Sequence, residues 1–177
     1  MLIPFQILKV AQASAVLLKT EPGRRMSRLR LLKLLYVADR ESLAERARPI
    51  TGDRVCAMDH GPVLSQIYDL IKGKDYLAPR WERYFRRIGK RDVRLIQDPG
   101  VGKLSRHEIG KLQDVSRRLE EYDDWAVAEY THTFEEWKKN RPPGRAYIIR
   151  RGDLAKVPAE RKPGPKPQAA KGAKRKG

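Results

Sequence analysis

The chain is short of cysteine and histidine, with one and three respectively, and it has no long apolar run. Each shortage removes a class of protein. With Cys56 alone no intramolecular disulfide can form, so a reducing cytoplasm is the expected compartment. A membrane-spanning helix needs roughly 18 to 20 apolar residues, and no stretch reaches that length, so no membrane role is expected. Met1 to Leu18 comes nearest, and its "AQASA" resembles a signal-peptidase site. Pro4, Gln6 and Lys9 interrupt that stretch and no basic segment precedes it, so secretion is not expected. His60, His107 and His132 lack metal-ligand spacing. A Walker-type glycine loop, a GxSxG elbow, an HExxH pair and a CxxC pair are all missing, as is any internal repeat. These shortages point away from an enzyme and imply neither cofactor nor metal.

What the chain has is positive charge. Its 39 basic and 22 acidic residues leave a net +17 over 177 residues, which attracts polyanions or acidic protein surfaces. Lys156 to Gly177 holds eight Lys/Arg against Glu160 and accounts for +7 of the total. That tract has no aromatic or β-branched residue after Val157, so it cannot offset ordering entropy and is expected to be a disordered tail. It suits non-specific nucleic-acid contact, and equally a solubilising extension. Residues 1–155 form the expected folded domain.

Apolar spacing there predicts a mainly α fold: a compact helical domain of about five helices with a small antiparallel β element. A first helix opens at Pro4 and ends near Thr20, and a second runs from a Ser27 cap to about Ala47. The second is apolar almost all round at first, apart from Arg30 and Lys33, and its later half is expected to emerge into solvent. "RVCAM" reads as a strand, Pro62 as the opening of a third helix, and Gly89-Lys90-Arg91 as the tip of a hairpin. Ser105 with Glu108 makes a capping box, with Leu104 and Ile109 as its hydrophobic staple. A last helical stretch from Asp123-Asp124 carries Trp125, Ala128, Thr131, Phe134 and Trp137 on one stripe. The expected core includes Leu32, Leu35, Tyr36, Ile67, Ile71, Leu112, Leu119 and Trp125.

Three features bear on chemistry. Asp39 shares an apolar register with Leu32, Leu35, Tyr36 and Leu43, and a buried carboxylate needs partners. Backbone N–H groups between Thr51 and Pro62, or Arg40 and Arg54, are the candidates, so Asp39 reads as structural. Cys56 and His60 straddle a strand end, which suits a small buried thiol and a turn histidine better than a nucleophile and base. In "RWERYFRR", arginines interleave with aromatics, a mixture suited to nucleic acid or to a protein hot spot, against the plainer reading of a solvated strand face. Arg80, Trp81, Arg83, Tyr84, Arg86 and Arg87 are therefore the candidate partner-binding residues.

Several stretches in order resemble the Panacea domain, the SocA-like antitoxin family: Lys33 to Tyr36, Asp39-Arg40, Pro49 to Gly52, Met58, His60 to Val63 and Tyr68, then Thr131, His132 and Trp137. The resemblance spans roughly Ile7 to Leu154. It implies a helical domain of bacterial or phage-linked origin that neutralises a cognate toxin by direct binding. Within it Tyr36, Asp39, Arg40, Gly52, His60, Gly61, Pro62, Tyr68, Thr131, His132 and Trp137 are expected to be structural. A nucleic-acid-binding regulator using the basic surface and tail is the alternative.

Overall fold

Seven consecutive residues, Leu31 to Val37, are buried without a break, which a helix achieves only when it is surrounded on all sides. They belong to α2 (Arg28–Arg46), whose start is capped by the Ser27 side chain accepting from the Arg30 N–H at 3.0 Å. The computed structural model describes residues 4–140 and 147–154. Around α2 are packed α1 (Ile7–Leu18), α5 (Arg106–Arg118), α6 (Asp124–His132) and strand β3 (Gly61–Leu64). Burying one leucine of α2 contributes about 1.5–3 kcal/mol, and Leu31, Leu34 and Leu35 are wholly buried.

Among the described residues the fold is mainly α, with eight helices and two three-stranded antiparallel sheets. In the first sheet the order is β1 (Arg25–Ser27), β5 (Asp92–Leu95), β4 (Phe85–Ile88). In the second it is β3, β2 (Val55–Met58), β6 (Tyr147–Ile149). The shorter helices are α3 (Ser65–Lys72), α4 (Ala78–Trp81), α7 (Glu135–Lys139) and α8 (Arg151–Leu154). The basic segment from Lys156 lies outside the described residues.

Several expectations hold. The hairpin turns at Gly89, and the Ser105–Glu108 capping box is complete in both directions, at 3.2 and 2.8 Å. Others need correction. α1 begins at Ile7, three residues after Pro4. Pro62 does not open a helix: it lies in β3 opposite Ala57, and α3 starts only at Ser65. The later half of α2 stays buried to Leu43, because Glu41 pairs with Lys111 and Arg118 of α5 at 3.2 and 2.6 Å. Arg30, an exception to the apolar run, is buried as well and donates to the carbonyls of Leu119 and Tyr122 at 2.9 and 2.6 Å. A guanidinium suits that place, since the last carbonyls of α5 carry the negative end of its dipole.

Candidate functional site

The Asp39 carboxylate answers the sequence anomaly. Its Oδ1 accepts the backbone N–H groups of Ile50 and Thr51 at 2.7 and 2.8 Å, and its Oδ2 accepts the Thr51 hydroxyl. Burial pushes its pKa up to about 6, with those hydrogen bonds pulling the other way. A second buried carboxylate, Asp53, continues the device. It accepts the N–H groups of Arg54, Gln66 and Ile67 at 2.6, 3.0 and 2.8 Å and so ties the loop to the start of α3. The turn between them passes through Gly52, whose φ of 72° favours glycine. Arg40 is not a partner of Asp39.

Arg40 turns instead to Glu136, its Nε donating to Oε1 and its Nη2 to Oε2 at 3.3 Å. The Tyr36 hydroxyl donates to the same Oε1 at 2.6 Å, and the guanidinium lies 3.9 Å above the Phe134 ring. All three polar residues are buried, so this is a desolvated pair whose remaining valences are met by a phenol and a π face. Burial and the adjacent Glu136 carboxylate hold the Tyr36 phenol well above its ordinary range. The middle of α2 is thereby fastened to α7.

A third cluster lies under the β2–β3 turn. Lys33 is wholly buried and its Nζ donates to the Pro62 carbonyl at 2.8 Å; desolvation pushes its pKa down to about 7. Gly61 above it has φ +95°, and a Cβ there would come 2.7 Å from Lys33 Nζ and 2.8 Å from Thr131 Oγ1. Gly61→Ala is therefore expected to lower stability by about 2–3 kcal/mol in urea unfolding. A loss under 0.5 kcal/mol would show that the turn relaxes freely. His132 stacks on Trp137, centroids 4.2 Å apart and planes 9° from parallel, and Trp137 Nε1 donates to the Met58 carbonyl at 3.0 Å. Burial lowers the His132 pKa, opposed by Glu129 at 3.2 Å from Nδ1. Tyr68 stands apart on α3, half-buried, with Lys72 Nζ 2.7 Å from its hydroxyl.

His60 is exposed in the turn and Trp125 is 61% exposed beside it, ring centroids 6.4 Å apart. The core assignment of Trp125 is thus corrected. The buried stripe of α6 is centred on Val127, Tyr130 and Thr131, and Trp125 is two positions, about 200° around the helix, from Val127. Trp81 errs the opposite way: at 2% exposure it stacks on Phe85 at 4.0 Å and cannot meet a partner. Arg80, Arg83, Arg86 and Arg87 are exposed and Tyr84 is half-buried. Cys56 is half-buried on β2 opposite Val63, and burial raises its thiol pKa, the reverse of what activates a nucleophile.

Sequence reasoning passed over Glu136, Asp53 and the role of Trp125. Glu136 had a sequence signal, an acid spaced with Phe134 and Trp137, but nothing local says that Arg40 lies opposite. A family model described as "Antitoxin SocA-like, Panacea domain" matches residues 31–138, more than half of the chain. No curated protein and no solved structure is detectably similar to it. No helix of the described residues is long and apolar enough to cross a membrane.

Proposed function

The chain belongs to the SocA-like Panacea antitoxin domain family, and on that premise we propose that it neutralises a toxin protein by binding it directly, without enzymatic turnover. The observation that carries this reading is the exposed Trp125 indole beside His60, in the turn whose Gly61 packs on the signature residues Lys33, Thr131 and His132. Tryptophan is the residue most often found as an energetic anchor in protein interfaces, and it works best when its surroundings are already rigid. Here the surroundings are tied across elements, Lys33 Nζ donating to the Pro62 carbonyl and Trp137 Nε1 to the Met58 carbonyl. The signature residues other than His60 are buried or half-buried, so their part is to hold the turn and α6 in register. We place this activity in the cytoplasm, in keeping with the single thiol.

Co-purification of the tagged full chain with the product of the adjacent gene tests the reading, together with rescue of growth when both are expressed. Trp125→Ala is expected to weaken the complex roughly 30-fold to 1000-fold, the effect of losing about 2–4 kcal/mol at a hot spot. Its melting temperature should stay within about 2 °C of the parent, since the indole is mostly exposed. A neighbouring product that kills cells regardless of this protein would refute the antitoxin reading. Intact binding by Trp125→Ala would move the interface elsewhere.

A further inference from the structure

The first sheet sets three arginines side by side. Its register places Arg25 opposite Arg94 and Arg94 opposite Arg86, and all three are exposed. Like charges directly opposite one another in a sheet are destabilising, and neighbouring strands are only about 4.8 Å apart. Asp92 offsets part of this at the β1 edge, accepting from Arg25 Nε at 2.6 Å. No carboxylate of the described residues lies within ion-pair distance of Arg86 or Arg94. The surroundings add to the field. From Arg80 to Arg94 there are seven Lys/Arg against Glu82 and Asp92, and the five cations Arg28, Arg86, Arg87, Lys90 and Arg91 outnumber Glu82 and Asp92 along one groove of about 770 Å³ at the hairpin, whose floor includes Trp81 and Phe85. Nothing in the packing calls for such a row, because Met26, Phe85, Val93 and Leu95 supply the buried side of the sheet.

The geometry points to a second binding site on this protein: the Arg25–Arg94–Arg86 ladder, continued from Arg86 along the hairpin groove, holds the phosphate backbone of duplex nucleic acid. Two observations choose that ligand over others. Protein interfaces are depleted of charge at their centres and are built around an apolar anchor, whereas this face is centred on guanidinium groups. The anchor-type side chain, Trp125, is on α6 against the β2–β3 turn, where the proposed toxin surface lies. Single-stranded binders, in turn, offer aromatic platforms for bases. Here Trp81 and Phe85 stack on each other and are buried, and Tyr84 is half-buried, so the motif presents its arginines outward rather than a fully exposed aromatic platform. Such a surface grips phosphates without reading bases, and its affinity must fall with salt. The site is independent of the toxin-binding reading.

The test compares two charge-matched triple variants of the full chain. One is Arg25→Gln with Arg86→Gln and Arg94→Gln. The control is Arg46→Gln, Arg48→Gln and Lys103→Gln at the other end of α2, about 27 Å away along the helix. Binding of a labelled duplex of about 24 base pairs is followed by fluorescence anisotropy between roughly 50 mM and 200 mM salt, with a single strand as competitor. The ladder variant should bind on the order of 100-fold more weakly at the lower salt, with the slope of log K against log salt shallower by about 3. The control should lose less than about tenfold, and the single strand should compete poorly. Equal losses in both variants would mean generic charge attraction and overturn the site, as would preference for the single strand. Wild-type affinity in the ladder variant would overturn it too, including the case where that variant loses its protein partner instead. Relieving the repulsion should leave the ladder variant at least as heat-stable as the parent. If it unfolds, Arg94→Gln alone carries the test, with a slope change of about 1.

Discussion

Glu136→Ala should lower the unfolding free energy by about 3–5 kcal/mol, measured by urea denaturation with the m-value held under scrutiny. The reason is asymmetric. With the carboxylate gone, the Arg40 guanidinium stays in a site where it is 5% exposed, with the Phe134 ring and the Tyr36 phenol but no counter-charge beside it. The Tyr36 hydroxyl loses its acceptor in the same step. Domains of this size are typically stable by only 5–15 kcal/mol, so the variant should sit near the edge of folding. Tyr36→Phe removes a single donor and should cost about 1.5–3 kcal/mol, the range for a hydrogen bond to a charged group. Pairing Arg40→Met with Glu136→Ala should recover part of the loss, since no buried charge is then stranded. A loss below 1 kcal/mol for Glu136→Ala alone would mean that water reaches Arg40 and that α7 is not fastened to α2 in the way described.

The pH dependence of stability should reveal Lys33. In the fold its pKa is pushed down to about 7, against an ordinary 10.5 once the chain unfolds. Between those values the unfolded chain binds a proton that the folded chain has released, so stability rises with pH across that window and is lowest below pH 7. The slope approaches about 1.4 kcal/mol per pH unit. Lys33→Met removes the titration while keeping a flexible chain of similar length in the cavity. The difference between parent and variant, taken at pH 6.5, 8 and 9.5, cancels the other groups and should move in favour of the parent by a few kcal/mol. Parallel curves for the two proteins would show that Lys33 stays charged at neutral pH. A charged Lys33 would also depress His132 further, since the lysine is already one of the causes that lower that imidazole.

Local chemistry explains which parts were legible beforehand. Ser27, and Ser105 with Glu108, act within one turn of their own helix, so the caps could be read from spacing. Asp39 advertised itself because a carboxylate in an apolar register must find donors, and the loop that supplies them is only eleven residues away. The functional surface was less legible. Trp125 and Trp81 exchanged places relative to expectation because an indole is compatible with a core or with an interface, and periodicity through Thr131 to Trp137 crosses a break at Thr133. The aromatic–arginine motif is plain in the sequence, but which of its side chains face outward depends on strand register.

By itself the sequence determined the mainly helical class, the central place of α2, the turn chemistry at Gly52 and Gly61, the excess of positive charge and the family. These follow from short-range sterics, from the cost of exposing a helix apolar on every side, and from the order of many small motifs. Only the tertiary structure decided that Arg40 meets Glu136 across 96 residues, that Lys33 is sealed beneath Gly61, and that three arginines from three strands form one row. Those pairings link elements distant in the chain. Their partners are selected by the shared filling of one core, a condition on the whole packing that no local spacing encodes.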